Sequence, residues 1–223
     1  MKILPPEEGS FIMNTVIFAN GEIDQPELLK KVLKQGEFFI SADGGLRHMR
    51  MLGVMPDLVI GDLDSISKDD SKWISENHIE VQEFSKKKDQ TDLELAIIAA
   101  VDRGGDPITI VGALGGRLDQ TLTNIFLLLM PEIQNANVCL DDGKQELFLI
   151  QKRGSVAGKK GDTVSLLPLL SPVMGIKTKG LKYPLKDEIL FPERSRGVSN
   201  EMDSDLAEVT MKSGVLLCIH TRM

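Results

Sequence analysis

The sequence predicts an α/β domain in which a mostly parallel sheet is layered by helices on both faces, followed by a smaller all-β domain. From Thr15 to about Leu140, short β-branched or apolar runs alternate with longer segments of helical periodicity. Strict alternation of this kind implies a parallel sheet covered on both sides. From about Glu146 onward the helical segments stop, and short apolar runs are joined by Gly, Pro, Ser and Asp clusters, as strands linked by turns would be.

In order, the strands are read from TVIFAN (15–20), FFISA (38–42), DLVIG (57–61), IEVQEF (79–84), ITIVG (108–112) and NVCLD (137–141). The segments between them, PELLKKVLKQG, GLRHMRMLG, KDDSKWISENH, TDLELAIIAAVDRG and QTLTNIFLLLM, are each long enough for a helix. In the second domain GDTVSLLPLL, MGIKTKG, LKYPL and EVTMKSGVLLCIH read as short strands, with Lys212-Ser213-Gly214 as a hairpin turn and RSRGVSNEMDSD (194–205) as a polar loop. The expected bounds are an N-terminal extension at 1–13, an α/β domain at 14–145 and a β domain at 146–223.

A chain of 223 residues that is 42% hydrophobic can build a sizeable core. Its net charge of −7 argues against broad binding of nucleic acid or anionic membrane, which calls for a basic face. Any anionic substrate then needs local help from a metal or a few placed cations. Cys139 and Cys218 sit in apolar, strand-like surroundings and read as buried free thiols. The opening MKILPPEEGSFIM is broken by Pro5, Pro6, Glu7 and Glu8 and lacks the apolar centre of a secretion signal. The run IFLLLM is too short to span a bilayer, so a cytoplasmic enzyme or binding protein is expected.

Ligands of open parallel sheets bind outside the carboxyl ends of the strands, and polar residues gather there. ADGG brings Asp43, Gly44 and Gly45; GDLDS brings Asp62 and Asp64; SKKKDQTD brings Lys86, Lys87, Lys88, Asp89, Thr91 and Asp92; ALGGRLDQ brings Gly115, Gly116, Arg117 and Asp119. Several have a structural explanation. ADGG is common turn chemistry, Thr91 with Glu94 fits a capping box, the lysines suit a solvated loop, and Asp69 with Asp70 favours a helix N-terminus after Lys68.

GDLDS resists that account. If Asp62 and Asp64 continue an extended strand, their side chains share a face, and two carboxylates at a strand end suit Mg2+, which takes one or two of them plus phosphates and water. A calcium loop starting at Asp62 fails, because Ser67 and Trp73 stand where glycine and glutamate are required. A D-x-D phosphohydrolase normally carries its pair on the first strand, whereas this pair follows the third. In GALGGRLDQ the glycines let backbone approach a phosphate and Arg117 offers a planar fork. Neither the P-loop pattern nor the dinucleotide fingerprint is present, so the combination points to phosphoryl transfer by other means.

SADGG, PDLVIGDLDS, KKKDQTDLELA and GALGGRLDQTLTN, in this order over residues 41–124, resemble the thiamine pyrophosphokinase family, and TKGLKYPL followed by GVSNE (197–201) extends the likeness. The resemblance implies magnesium-dependent transfer of diphosphate from ATP to the thiamine hydroxyl, with release of AMP. It also implies a C-terminal β-sandwich that binds thiamine, and a homodimer with sites between subunits. Carried over, Asp43, Asp62, Asp64 and Asp92 would surround Mg2+, with Asp64, Asp92 and Arg117 in catalysis. Gly44, Gly45, Lys88, Thr91, Gly115, Gly116, Arg117, Asp119 and Gln120 would line ATP, and Ser199 and Asn200 would contact thiamine from the partner chain.

Two positions depart from the family pattern. Gln120 replaces the usual histidine of GGRxDH and cannot become a cation at neutral pH. His220 stands near where some relatives place a tryptophan against the thiamine ring; the alternative is a strand-end histidine in solvent. A non-catalytic nucleotide or thiamine sensor is the rival reading, with a D-x-D phosphohydrolase behind it.

Overall fold

The computed structural model describes residues 12–62, 66–85 and 89–223, and the chain divides into two compact units between Val138 and Cys139. The first unit alternates strand and helix throughout. Its strands are β1 (Met13–Phe18), β2 (Phe38–Ala42), β3 (Leu58–Gly61), β4 (Glu80–Glu83) and β5 (Gly105–Val111). Between and after them lie α1 (Lys30–Gln35), α2 (Leu46–Leu52), α3 (Lys68–Glu76), α4 (Asp92–Asp102) and α5 (Leu118–Leu127), with 3-10 turns at Pro26–Leu29 and Asp43–Gly45.

The strands lie in the order β5-β1-β2-β3-β4, every neighbouring pair parallel. Register sorts the side chains into two faces. Val16, Phe18, Phe39 and Val111 pack with Leu29, Val32, Leu33, Met49 and Leu52 of the α1 and α2 region, and Val59 and Val81 pack with Leu46, Trp73 and Ile74 of α2 and α3. On the opposite face Ile17, Ile40, Leu58, Ile60, Ile108 and Ile110 are fully buried. There α4 lies across β1, β2, β3 and β5 with Leu93, Ala96, Ile97 and Ala100 buried. Each buried Leu or Ile among these contributes roughly 1.5–3 kcal/mol. The sequence-predicted strands and helices of this unit are all present.

The second unit is built from antiparallel strands. One sheet runs β12 (Asn200–Glu201), β9 (Thr163–Pro168), β14 (Leu216–Thr221), β7 (Gln145–Ile150) and β6 (Val138–Asp141); the other runs β11 (Lys186–Leu190), β10 (Val173–Lys179), β13 (Leu206–Thr210) and β8 (Arg153–Ala157). Ile150, Val156, Val164, Leu166, Ile176, Val209 and Leu216 meet in a single core drawn from both sheets. Two sequence expectations need correction. Lys212-Ser213-Gly214 is not a hairpin turn: β13 pairs β8 and β10 while β14 pairs β7 and β9, so these residues carry the chain from one sheet to the other. LKYPL is not a strand either. Leu181 forms an isolated bridge to Met202, Pro184 has no N–H to donate, and the Asn200 amide grips the Tyr183 backbone on both sides, at 3.1 and 2.7 Å.

Charged groups tie the chain's last residues into this unit. Arg222 makes a two-point pair with Asp141, both bonds 2.9 Å, and reaches Glu146 at 3.0 Å. His220, 1% exposed, lies between Asp162, 2.9 Å from Nε2, and Glu146, 3.6 Å from Nδ1. It is therefore not a strand-end histidine in solvent. Asp162 also accepts from the backbone N–H groups of Lys159 and Met223, at 2.9 and 3.0 Å. Glu146 holds the imidazole's pKa above its ordinary value, burial works against it, and Asp162 adds to the rise.

Because the folded-state value is the higher one, protonated His220 contributes its full stability below about pH 6.5, and this is lost as pH rises through the folded value. His220→Gln is expected to be less stable than the parent by about 3 kcal/mol near pH 6, with the gap narrowing as pH rises through the folded-state value. Denaturant melts from about pH 6 upward check it; a gap independent of pH would mean that His220 titrates alike in the folded and the unfolded chain.

Candidate functional site

The chain adds strands outward from β1 to β4 and then returns to place β5 on the other side of β1. The order thus reverses between β1 and β5, and a reversal of this kind is where an open α/β sheet forms its binding crevice. A pocket of about 540 Å³ lies there, lined by residues 19–22 after β1, Ala42 at the end of β2 with Asp43 and Arg47 beyond it, Thr91 to Leu93 at the start of α4, and Ala113, Gly115, Gly116, Arg117, Gln120 and Asn124 around the start of α5.

Local chemistry sets each wall. Asp43 occupies the left-handed region at φ 47°, and close approach explains the two glycines behind it. A Cβ on Gly45 would lie 2.0 Å from the Phe18 carbonyl oxygen, and one on Gly44 would lie 2.3 Å from Asn20 Oδ1. Thr91 caps α4, its hydroxyl accepting from Glu94 N at 3.2 Å, so that Asp92 opens the helix on the pocket wall. On the far side Gly115 and Gly116 have φ of 83° and 67°, which few side chains tolerate. Asn124 and Thr121 of α5 brace this loop, donating to the carbonyls of Ala113 at 2.8 Å and Gly115 at 3.1 Å.

Arg117 is presented as a planar fork. Its Nε and an Nη donate to the two oxygens of Asp119 at 3.1 and 2.6 Å, in full solvent contact. That pairing lowers the Asp119 pKa and raises that of Arg117. Asp43 and Asp92 supply hard oxygen donors on one pocket, which suits a Mg2+ ion that keeps water and phosphate in its remaining positions. Among the described residues no group of three or more His, Cys, Asp or Glu is disposed to hold a metal on its own.

The sequence matches the family profile described as thiamin pyrophosphokinase, catalytic domain, over residues 29–140, and that described as thiamin pyrophosphokinase, vitamin B1 binding domain, over residues 149–216. The chain belongs to the thiamin pyrophosphokinase family. A relative called thiamine pyrophosphokinase in Bacillus subtilis is 28% identical over 186 residues, 82% of this chain and 86% of that protein. Thiamine pyrophosphokinase 1 of Oryza sativa subsp. japonica is 27% identical over 178 residues, 75% and 67% of the two chains. The crystal structure of the Bacillus subtilis protein has a TM-score of 0.83 at 26% identity and covers 94% of this chain and 99% of its own. Thiamin pyrophosphokinase from Candida albicans has a TM-score of 0.79 at 19% identity, covering 95% and 90%, a likeness of fold.

Of the residues that the thiamin pyrophosphokinase motifs single out, Asp43, Thr91, Asp92, Gly115, Gly116, Arg117 and Gln120 share the pocket. Gly44 and Gly45 lie behind Asp43, and Asp119 acts on the pocket through Arg117. Asp62 follows β3, whose last residue, Gly61, packs against Asp43: a Cβ there would be 3.3 Å from Asp43 Cα. Asp64 and Lys88 lie outside the described residues. In the second unit Ser199 is exposed and left-handed at φ 58°, Asn200 is engaged by the Tyr183 backbone, and His220 is buried. Sequence reasoning missed Asn20, Gly21, Glu22, Arg47 and Asn124. The signal that finds the first three is the strand order, which makes the loop after β1 one wall of the crevice.

Gly45→Ala is expected to lower stability by about 1–3 kcal/mol, because the obstacle is backbone and cannot swing aside. Urea melts of the variant against the parent measure this; an unchanged midpoint would mean that Phe18 and Gly45 are not in such close contact.

Proposed function

We propose that the protein transfers the diphosphate group of ATP to the hydroxyl of thiamine, giving thiamine diphosphate and AMP. The observation that carries this is one pocket, at the reversal of strand order, that joins Asp43 and Asp92 to the Gly115-Gly116-Arg117 loop in a chain of this family. The acceptor hydroxyl must attack the β-phosphorus in line while AMP departs, so the protein's task is to position the reactants and offset negative charge. Gly115 and Gly116 let phosphate oxygens approach the backbone, and Arg117, aimed by Asp119, grips them.

Asp43 and Asp92, with Asp62 and Asp64, would hold Mg2+, which when bound would supply Lewis-acid polarisation of the phosphates. Lys88 supplies positive charge to the phosphates, and Asp92 or Asp64 accepts the hydroxyl proton. Gln120 offers hydrogen bonds only and carries no proton at neutral pH. Ser199 and Asn200 serve thiamine, Ser199 by its exposed hydroxyl and Asn200 by fixing the neighbouring backbone. His220 acts on that side through Asp162 and Glu146. In this reading a second copy of the chain supplies the thiamine-binding residues.

That second copy has a candidate surface. Leu118, Leu122 and Phe126 recur at every fourth residue of α5 and are 71, 47 and 50% exposed, an apolar stripe on the helix that carries Gln120 into the pocket. No helix among the described residues is long and apolar enough to cross a membrane, and the protein is proposed to work in the cytoplasm on small molecules.

Purified protein given ATP, Mg2+ and thiamine decides the activity. Thiamine-dependent AMP is the expected product; ADP would indicate an ordinary kinase, free phosphate a phosphohydrolase, and binding without turnover the sensor that Gln120 favours. Asp62→Asn is expected to lower turnover at least about 100-fold with an unchanged melting temperature, and near-normal turnover would make that carboxylate structural. Leu122→Glu with Phe126→Glu is expected to convert a dimer to a monomer in light scattering. A parent that is monomeric at micromolar concentration would remove the second copy from the proposal.

A further inference from the structure

A chain of contacts runs from the buried side of α2 to the pocket rim. His48, 8% exposed, brings Nε2 to 2.7 Å from the carbonyl oxygen of Gly21. Beside it an Nη of Arg47 donates to the carbonyls of Asn20 at 2.9 Å and Gly21 at 3.3 Å. The short contact to Gly21 fixes the imidazole proton on Nε2, which leaves the Arg47 Nε contact to that same nitrogen, at 3.4 Å, a subordinate one. From the other direction Gly21 N donates to Gly112 O at 2.8 Å. The loop after β1 is thus held from both sides, and its one side chain that turns toward a carboxylate is Asn20, whose Nδ2 donates to Asp43 Oδ2 at 3.2 Å.

We propose that Asn20, held by His48 and Arg47 through the 20–21 backbone, is a positioning residue that sets the Asp43 carboxylate for the cation bound with the nucleotide. This rests on the reading of Asp43 as a metal ligand. Three features converge on it. Asp43 is left-handed at φ 47°, so the direction of its side chain follows from a backbone state that needs outside support. The Asn20 side chain lies against Gly44, where even a Cβ would displace it, so it is the lack of a side chain at Gly44 that lets the amide sit beside Asp43. The donor is a neutral amide, which directs the carboxylate without adding a positive charge that would repel a cation. Arg47, the nearby group that carries such a charge, is directed at carbonyl oxygens instead.

The test measures cation binding apart from turnover: Mn2+ affinity by electron paramagnetic resonance, with a non-hydrolysable ATP analogue and no thiamine. Asn20→Ala is expected to bind Mn2+ about tenfold more weakly than the parent, with a melting temperature within about 2 °C of it. His48→Phe, which keeps the volume and loses the donor, is expected to shift affinity in the same direction. His48→Gln places an amide N–H where Nε2 was and is expected to recover affinity to within about twofold of the parent. Parental Mn2+ affinity in Asn20→Ala, a glutamine variant no better than the phenylalanine one, or a parent that binds no Mn2+ with the analogue would each overturn the proposal. If the parent makes no thiamine-dependent AMP while the Asn20→Ala deficit persists, the assigned acceptor is wrong and the positioning role stands.

Discussion

At the end of β1 the chain passes so close to the end of β5 that Gly21 N reaches Gly112 O at 2.8 Å, and a side chain on Gly21 would put carbon 2.4 Å from that same oxygen. Everything in the pocket follows from this approach. It occurs because the strands are laid outward from β1 to β4 before the chain crosses back to β5, so the loops after β1 and β5 leave neighbouring strands in opposite directions. The crevice between them receives Asp43 from β2 on one side and the glycine loop from β5 on the other. Gly112, left-handed at φ 66°, makes the turn that keeps the two backbones in register.

The pocket is a contest of charges in a chain of net charge −7. Asp43, Asp92 and Glu22 face it together with Arg47 and Arg117. Had the arginines paired with the pocket carboxylates, cation and phosphate chemistry would both be closed off. Instead Arg47 is engaged by main-chain oxygens and Arg117 by Asp119, at the solvent edge. An exposed pair of that kind is worth little as stability. It holds the guanidinium in a fixed plane, which is the geometry two-point phosphate recognition requires.

The parallel half was legible because its signals are local. Ile17, Ile40 and Ile60 sit in short apolar runs, the helices between are amphipathic or apolar enough to read by period, and Asp and Gly punctuate the strand ends. Asp43, Asp92 and Arg117 could therefore be placed on one edge from spacing alone. Asn20, Arg47 and His48 could not, since their roles depend on which strand neighbours β1 and which helix packs over it. The β half was read less well for a related reason. Lys212-Ser213-Gly214 has hairpin composition, yet sheet membership is decided by nonlocal pairing of β13 with β8 and of β14 with β7 and β9. His220 at a strand end looks solvent-facing until Asp162, which lies 58 residues away in sequence, is brought against it.

Backbone strain falls in part on the residues of the candidate site. Among the described residues, those other than glycine with positive φ are Asp43, His78, Lys152, Asp187 and Ser199. His78 ends a helix-to-strand turn and Lys152 a link between sheets, where the left-handed state simply reverses the chain. Asp43 and Ser199 are different, because each lies in a motif that the family resemblance assigns to ligand: ADGG on the nucleotide side and GVSNE on the thiamine side. Each is restrained by a hydrogen bond reaching across the fold, Asp43 from Asn20 and Ser199 N to Ser165 Oγ at 2.9 Å. A left-handed residue costs about 1–3 kcal/mol and persists only where its surroundings over-determine it. The restraint differs between them: Asp43 is held at its carboxylate, so its direction is set, whereas Ser199 is held at its backbone N–H, which fixes the turn and leaves the hydroxyl exposed.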